Sequence, residues 1–377
     1  MKQRLAERLL AKVMNWNDDQ VKAELQPLLL LAEFKYDEYH QFGPGMRFIE
    51  RLARWLSQLK GDTEEDTIHL RNTAFTIVRD HLIFISSDEM YSLIGMAYPE
   101  KILPLQRSLS AIKSGCDEHR ICRIERSQEF RSLVSKTLYV GLSDGSQTGM
   151  LRRMNPNAID HEFTLLSYDQ TADKAQSILS KLPTALAKSG IIENNPKFEL
   201  IVLVDDFTAS GTSFIRKEDG MYAGKLQKVI MSMSGDGSLS SLVNLSTTTI
   251  QVLFYISTEY ALQRIKQDIS AFLATQNCGV NIVVDAVHVI PTEFMKVCAN
   301  NSYIDDLLQN RFEKFKVAVL DPNYKKGDCT YAHRGFNGGD LALILFHNSP
   351  NNALPVLWYE GPENIALFPR TTRHGRK

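Results

Sequence analysis

Residues 200–215 read LIVLVDDFTASGTSFI: five apolar side chains, two adjacent carboxylates, a run of small residues, and then apolar residues again. An unbroken apolar run of this length fits a strand buried on both faces, as in a parallel sheet covered by helices. Ligands of such sheets gather beyond the carboxyl ends of the strands, so Asp205 and Asp206 stand where chemistry is expected. Thr208, Ala209, Ser210, Gly211, Thr212 and Ser213 offer amides and hydroxyls with little side-chain bulk. A helix beginning near Phe214, within a few residues of Thr212, would aim its positive end at the same point. The loop therefore reads as a phosphate cradle built from Ala209, Ser210, Gly211, Thr212 and Ser213. Carboxylates repel a phosphate, so the acids must serve another part of the ligand: hydroxyl donors such as a ribose diol, or a metal bound beside it. A phosphate and a diol on one molecule describe a ribose 5-phosphate. The competing reading is plain structure, an acid pair that caps a strand and small residues that start a helix. A P-loop is disfavoured because the Lys of its Gly-Lys-Ser/Thr ending is missing.

Outward from this stretch, the second two-thirds of the chain alternates strand and helix patterns. KTLYVGLS (136–143), FELIVLVDD (198–206), TTTIQVLFYIS (247–257) and VNIVVDAVHVIP (280–291) read as strands, with DLALILF (340–346) as a fifth candidate. QTADKAQSILSKLPTALAKSG and TEYALQRIKQDISAFLATQ between them read as helices. That alternation predicts the α/β class, a parallel sheet flanked by helices. Before it the periodicity is helical: Gln20 to Phe34, MRFIERLARWLSQL and HLRNTAFTIVRDHLIFI carry apolar residues at helical spacing, and Ser86 and Ser87 precede DEMYSLIGMAYP as a helix start. The expected division is a helical N-terminal region over 1–125 and an α/β domain over 126–377.

Composition narrows the partners. With 377 residues, 44% of them hydrophobic and 23% charged, the chain has the make-up of a soluble globular protein with a full-sized core. A formal net charge of −1 gives no bulk attraction to nucleic acid or an acidic membrane. The start lacks a signal-peptide core and no stretch is long and apolar enough to span a bilayer, so a cytoplasmic location and no membrane partner are expected. Five scattered cysteines fit reduced thiols. Cys116, His119 and Cys122 in CDEHRIC fall short of the about four ligands a zinc site needs, and no protein-held metal is expected.

A hydrophobic strand, two acids, two variable residues and a short Gly- and Thr-containing loop resemble the phosphoribosyl pyrophosphate (PRPP) signature of type I phosphoribosyltransferases. The resemblance implies that Asp205 and Asp206 face the ribose hydroxyls and that Ala209 to Ser213 hold the 5-phosphate. It also gives the upstream segment LYVGLSDGSQTGMLRRMNP a role, because the family's first core strand leads into a loop that binds pyrophosphate. Ser143, Asp144, Gly145 and Ser146 stand in that place, and Arg152 or Arg153 would neutralise leaving-group charge. An ordinary turn is the alternative there. Mg2+ would arrive with the diphosphate. The sequence departs from the pattern at Ala209, where some purine-specific members place an Asp, and in RKEDGMYAGKLQKVIMSMSGDGSLSSLV, which is longer than a plain helix and looks like an insertion, a lid or a surface excursion.

With the helical N-terminal region and the ending GFNGGDLALILFHNSPNNALPVLWY, the chain is similar to phosphoribosyltransferase-like proteins of bacterial conflict systems, some of which accompany retron reverse transcriptases in anti-phage defence. The resemblance implies an effector that acts on PRPP or a nucleotide at the ribose anomeric carbon, controlled by a partner such as a reverse transcriptase with its DNA, and with room for self-association. The other class left open is a binding module of the same fold that senses PRPP or nucleotides without catalysis. His347, Asn348 and Asn351 would face a base or else form a structural hairpin. The basic tail FPRTTRHGRK is expected to be flexible, with weak phosphate contact at most.

Overall fold

Residues 200–204 lack any polar side chain because the strand they form has strands on both sides and helices above and below. The computed structural model describes residues 3–275 and 279–371; most of the basic tail, residues 372–377, and Cys278 lie outside the described residues. The main sheet has five strands: β1 (Thr137–Gly141), β2 (Thr164–Leu165), β3 (Leu200–Thr208), β4 (Thr249–Thr258) and β5 (Asn281–Ile290). Their order is β2-β1-β3-β4-β5, and every pairing is parallel. The α/β class and the flanking helices are those the periodicity predicts.

Two strands differ from expectation. β2 is two residues long and left no periodic signal in HEFTLL. DLALILF contributes Leu343–Leu345 not to the main sheet but to a separate two-stranded sheet, paired in parallel with Ile83–Ile85. The helix expected over 170–190 is two helices, Ala172–Leu179 and Leu182–Lys188, the second opening with Pro183 in its first turn.

Alternation along the strands gives the sheet two unlike faces. On one, Leu138, Val140, Ile201, Leu203, Val252 and Phe254 are buried against Ile178 and Leu182 of those helices, Leu226, and Ile265 and Phe272 of helix Glu259–Thr275. The other carries Tyr139 and Gln251 and is more polar. There Gln106 Nε2 donates to Thr137 Oγ1 at 3.0 Å, and Gln251 Nε2 donates to the Lys101 carbonyl at 3.1 Å. The helical stretch that includes Leu103–Ser114 therefore covers the second face of the sheet.

That contact explains a second difference. The chain divides near residue 90, not near 125: residues 91–290 form one compact unit, and the residues before 91 join those after 290 in another. In the latter, the ring of Phe368 lies 5.2 Å from Tyr39, 5.5 Å from Phe48 and 5.6 Å from Phe84, and Trp55 Nε1 donates to the Val356 carbonyl at 3.1 Å. The C-terminal segment thus supplies the apolar partner that the N-terminal helices need. HNSPNNALP belongs to this packing. Ser349 Oγ lies 2.8 Å from the Tyr39 hydroxyl, Asn348 Oδ1 accepts from the Ser349 and Thr371 amides at 3.0 and 3.2 Å, and the Asn351 carbonyl accepts from the Phe336 amide at 2.8 Å. These partners place the Asn348 side chain in the structural hairpin; for Asn351 they involve the backbone carbonyl alone.

Leu203 is fully buried in the core of the α/β unit. Leu203→Ala is expected to cost about 2–5 kcal/mol, read as a lower urea midpoint at unchanged slope. Leu166→Ala, at a side chain 76% exposed, should leave the midpoint where it is.

Candidate functional site

β1 and β3 are neighbours, yet the chain leaves β1 toward β2 and leaves β3 toward β4, in opposite directions across the sheet. The crevice at such a reversal, beyond the carboxyl ends of the strands, is where open parallel sheets bind ligands. The two ends are level, because Gly141 is in register with Val204 and the Leu142 amide donates to the Val204 carbonyl at 2.9 Å. The turn Ser143–Ser146 rises from β1, and the acid pair with the small-residue loop rises from β3. Two of the three groups marked in the sequence are therefore side by side.

Asp205 joins them. It is only 4% exposed, and both its oxygens are engaged. Oδ1 accepts from Ser143 Oγ at 2.5 Å and from Ser146 Oγ at 3.4 Å, and Oδ2 accepts from Lys225 Nζ at 2.5 Å. Burial pushes the Asp205 carboxyl above its ordinary value, with Asp206 adding to the rise and Lys225 and Ser143 opposing it. Ser146 also accepts from the Leu142 and Ser143 amides at 3.0 and 2.9 Å, and its carbonyl accepts from the buried Tyr255 hydroxyl of β4 at 2.9 Å. The turn is fixed from three strands at once.

Asp206 points the other way along the strand and is partly exposed. Its carboxylate lies against Gly145: a β-carbon built there would stand 2.4 Å from Asp206 Oδ2, so any other residue at 145 would push the acid away. Gly145 is thus required by close approach, and Asp206 sits between the two loops. Asp144 is exposed on the same turn. Arg152 and Arg153 ride in the last turn of helix Thr148–Met154, one helical turn beyond Ser143–Ser146.

The small-residue loop is buried except at Ser213. Its Gly211 amide is taken by Thr208 Oγ1 at 3.1 Å, and the Thr212 amide lies 3.5 Å from Ser210 Oγ. Among the described residues, the Ser210 and Ser213 amides donate to no protein acceptor. From β4 and the helix after it, Thr258 Oγ1 donates to the Ala209 carbonyl at 2.7 Å, and Arg264 donates to the Ser210 carbonyl at 3.0 Å and to Thr212 Oγ1 at 2.7 Å. Gly211 has φ +71°, and a β-carbon on it would meet Ile265 Cγ1 at 2.6 Å. Glycine is required there by backbone conformation and by the helix behind the loop.

The helix expected near Phe214 is interrupted. Gly211 accepts from the Phe214 and Ile215 amides at 3.0 Å each, which makes one turn, and then a hairpin of Arg216–Glu218 and Met221–Ala223 intervenes. The helix proper is Lys225–Ser232. Its first amides bond back across the hairpin, Lys225 to the Ser213 carbonyl at 3.2 Å and Leu226 to the Phe214 carbonyl at 3.1 Å. The turn and the helix are one element with a hairpin looped out of it, and that hairpin is the first part of the stretch suspected of being an insertion, which runs on to residue 243. The chain matches the PRTase-CE family model over residues 52–370. It belongs to the PRTase-CE family. That match takes in helices ahead of the α/β core as well as the core itself, and no curated protein and no solved structure matches the chain.

In this PRTase-CE chain the sequence missed Lys225, Arg264, Tyr255 and Thr258. Only Lys225 had a readable precursor: Asp219-Gly220 is a hairpin-turn dipeptide, with φ +49° and +80°, and placing the hairpin brings the next helix start back to the site. No group of three or more His, Cys, Asp or Glu side chains among the described residues is arranged to hold a metal. Mg2+ travelling with a diphosphate asks the protein for one or two carboxylates and takes the rest from phosphate and water. A single carboxylate such as Asp206 is of the type that demand asks for; both oxygens of Asp205 are engaged by Ser143, Ser146 and Lys225.

A carboxyl raised above its unfolded value binds protons more tightly in the folded chain, so the stability it contributes is present at low pH and lost as pH rises through the raised value. Ionisation of Asp205 therefore detracts from stability. Asp205→Asn is expected to gain in thermal midpoint over the parent as pH rises above the ordinary carboxylate range, with the gain narrowing as pH is lowered toward it. A differential melting series over pH checks both the sign and the trend.

Proposed function

We propose that this PRTase-CE protein acts at the ribose anomeric carbon of PRPP or a nucleotide. The observation that carries the proposal is the meeting of the Ser143–Ser146 turn with the acid pair at the reversal of strand order, with two unclaimed amides on the next loop. In this reading the Ser210 and Ser213 amides receive the 5-phosphate and Asp206 accepts from the ribose hydroxyls. The Ser143–Ser146 turn, with Arg152 or Arg153, receives the diphosphate. The bond from the anomeric carbon to the diphosphate oxygen breaks with its electron pair going to the diphosphate, and an acceptor nitrogen bonds to that carbon and gives up its proton. Asp206 opposes the positive charge that grows on the ribose as the bond breaks. When bound, Mg2+ supplies charge neutralisation on the diphosphate. In the cleaving direction a diphosphate oxygen bonds to the anomeric carbon of a nucleotide, and the base nitrogen leaves with the electron pair of the broken bond and takes up a proton.

The wider setting we propose is a cytoplasmic effector of anti-phage defence, held in check by a partner such as a retron reverse transcriptase with its DNA. The support is the likeness of the signature, the helical region and the ending to proteins of conflict systems. The second reading, a nucleotide or PRPP sensor without turnover, is favoured by one residue: Ala209 leaves no carboxylate on the loop for a base.

Labelled PRPP with mixed nucleobases and nucleotides, with and without Mg2+, separates the two. The enzyme reading expects turnover by the parent, and loss by a factor of about a hundred or more in Asp205→Asn/Asp206→Asn, while binding through the backbone amides persists. Binding without turnover in the parent selects the sensor.

A further inference from the structure

Lys225 reaches Asp205 by an indirect route. A helix continuing from the 211–215 turn would put residue 216 or 217 next in line; instead eight residues, 216–223, are looped out as the hairpin, and Lys225 takes up the helical bonding to Ser213. The hairpin is tied to the loop it leaves, since Arg216 donates to the Thr212 carbonyl at 3.4 Å and its Nε pairs with Glu218 at 2.7 Å. Tyr222 packs edge-on against Phe272 at 5.2 Å, under Lys217 at 5.2 Å from its ring. The consequence is an ammonium 2.5 Å from a carboxylate that is almost wholly buried, its own side chain 25% exposed. Two adjacent acids beside a phosphate cradle would repel the ligand; a lysine on one of them halves that charge.

We propose that Lys225 is a positioning residue of the phosphoribosyl site. It neutralises Asp205 and holds that acid on Ser143, so that the acid pair beside the sugar phosphate carries one compensated and one partly exposed carboxylate. The inference rests on the function proposed above and deepens it by giving the two acids different work. Around Lys225 and Asp205 stand Asp206, the Ser143 and Ser146 hydroxyls and, through Ser146, the Tyr255 hydroxyl; Lys225 is the cation paired with Asp205. Removing it leaves a buried carboxylate uncompensated next to the place where a phosphorylated ribose binds, which both loosens the turn and repels the ligand.

Calorimetric titration of the full-length chain with ribose 5-phosphate and with PRPP tests this. Lys225→Met is expected to weaken both by tenfold or more. Lys225→Arg, which keeps the charge, should stay within about threefold of the parent. The decisive variant is Lys225→Met with Asp205→Asn: if the lysine acts through Asp205, removing the stranded charge restores most of the lost affinity. A general folding defect would not be repaired by it. Parent-like binding in Lys225→Met, or a double variant as weak as the single one, overturns the inference while leaving the phosphoribosyl reading intact. A parent that binds neither probe overturns that reading and this inference together.

Discussion

A carboxylate sealed at the end of an apolar strand has to be answered, and at Asp205 the answer organises the site. Transfer of an ionised acid from water costs several kcal/mol unless hydrogen bonds and an opposite charge replace the lost hydration. Here the replacements come from separate pieces of chain: the Ser143 and Ser146 hydroxyls from the loop after β1, and the Lys225 ammonium from a helix that resumes only after a hairpin. One buried charge thereby fixes the relative position of two loops that face each other across the crevice.

The rest of the α/β unit makes that arrangement rigid. Parallel strands on both sides keep β3 central, so the level at which Asp205 and Asp206 emerge is set by backbone ladders and not by loop conformation. Tyr255 and Thr258 of β4 each brace one loop through its carbonyls, and Arg264 adds a third brace from the following helix. The Ser210 and Ser213 amides of the braced loop donate to no protein acceptor among the described residues. Burial beside a second acid raises the Asp205 carboxyl, and Asp206 lies close over Gly145.

Much of this was legible before the fold was known. The run LIVLVDDFTASGTS marks its strand because burial on both faces leaves a composition that half-buried strands lack, and β1 and β4 carry the same mark, while the edge strand β5 is buried only at some positions. The two-residue β2 was invisible because it is too short for any periodicity. DLALILF misled for the opposite reason: it is apolar enough for the main sheet, but its partner is Ile83–Ile85. The boundary near 125 failed because helical periodicity reports a helix and not the surface it packs on; Gln106 and Lys101 belong with the sheet. At the site, residue types in sequence order indicated the acids, the cradle and the turn. Lys225 and Arg264 were hidden, since pairing across a looped-out hairpin or from a later helix leaves no local pattern.

The central claim is that the crevice between β1 and β3 takes a phosphorylated ribose in one orientation. A crystal structure of the chain with ribose 5-phosphate measures this directly. The account predicts the phosphate on the Ser210 and Ser213 amides and the hydroxyls on Asp206, with Lys225 still on Asp205. A sugar phosphate bound elsewhere, or one in the crevice with its phosphate turned away from the 209–213 loop, would contradict it.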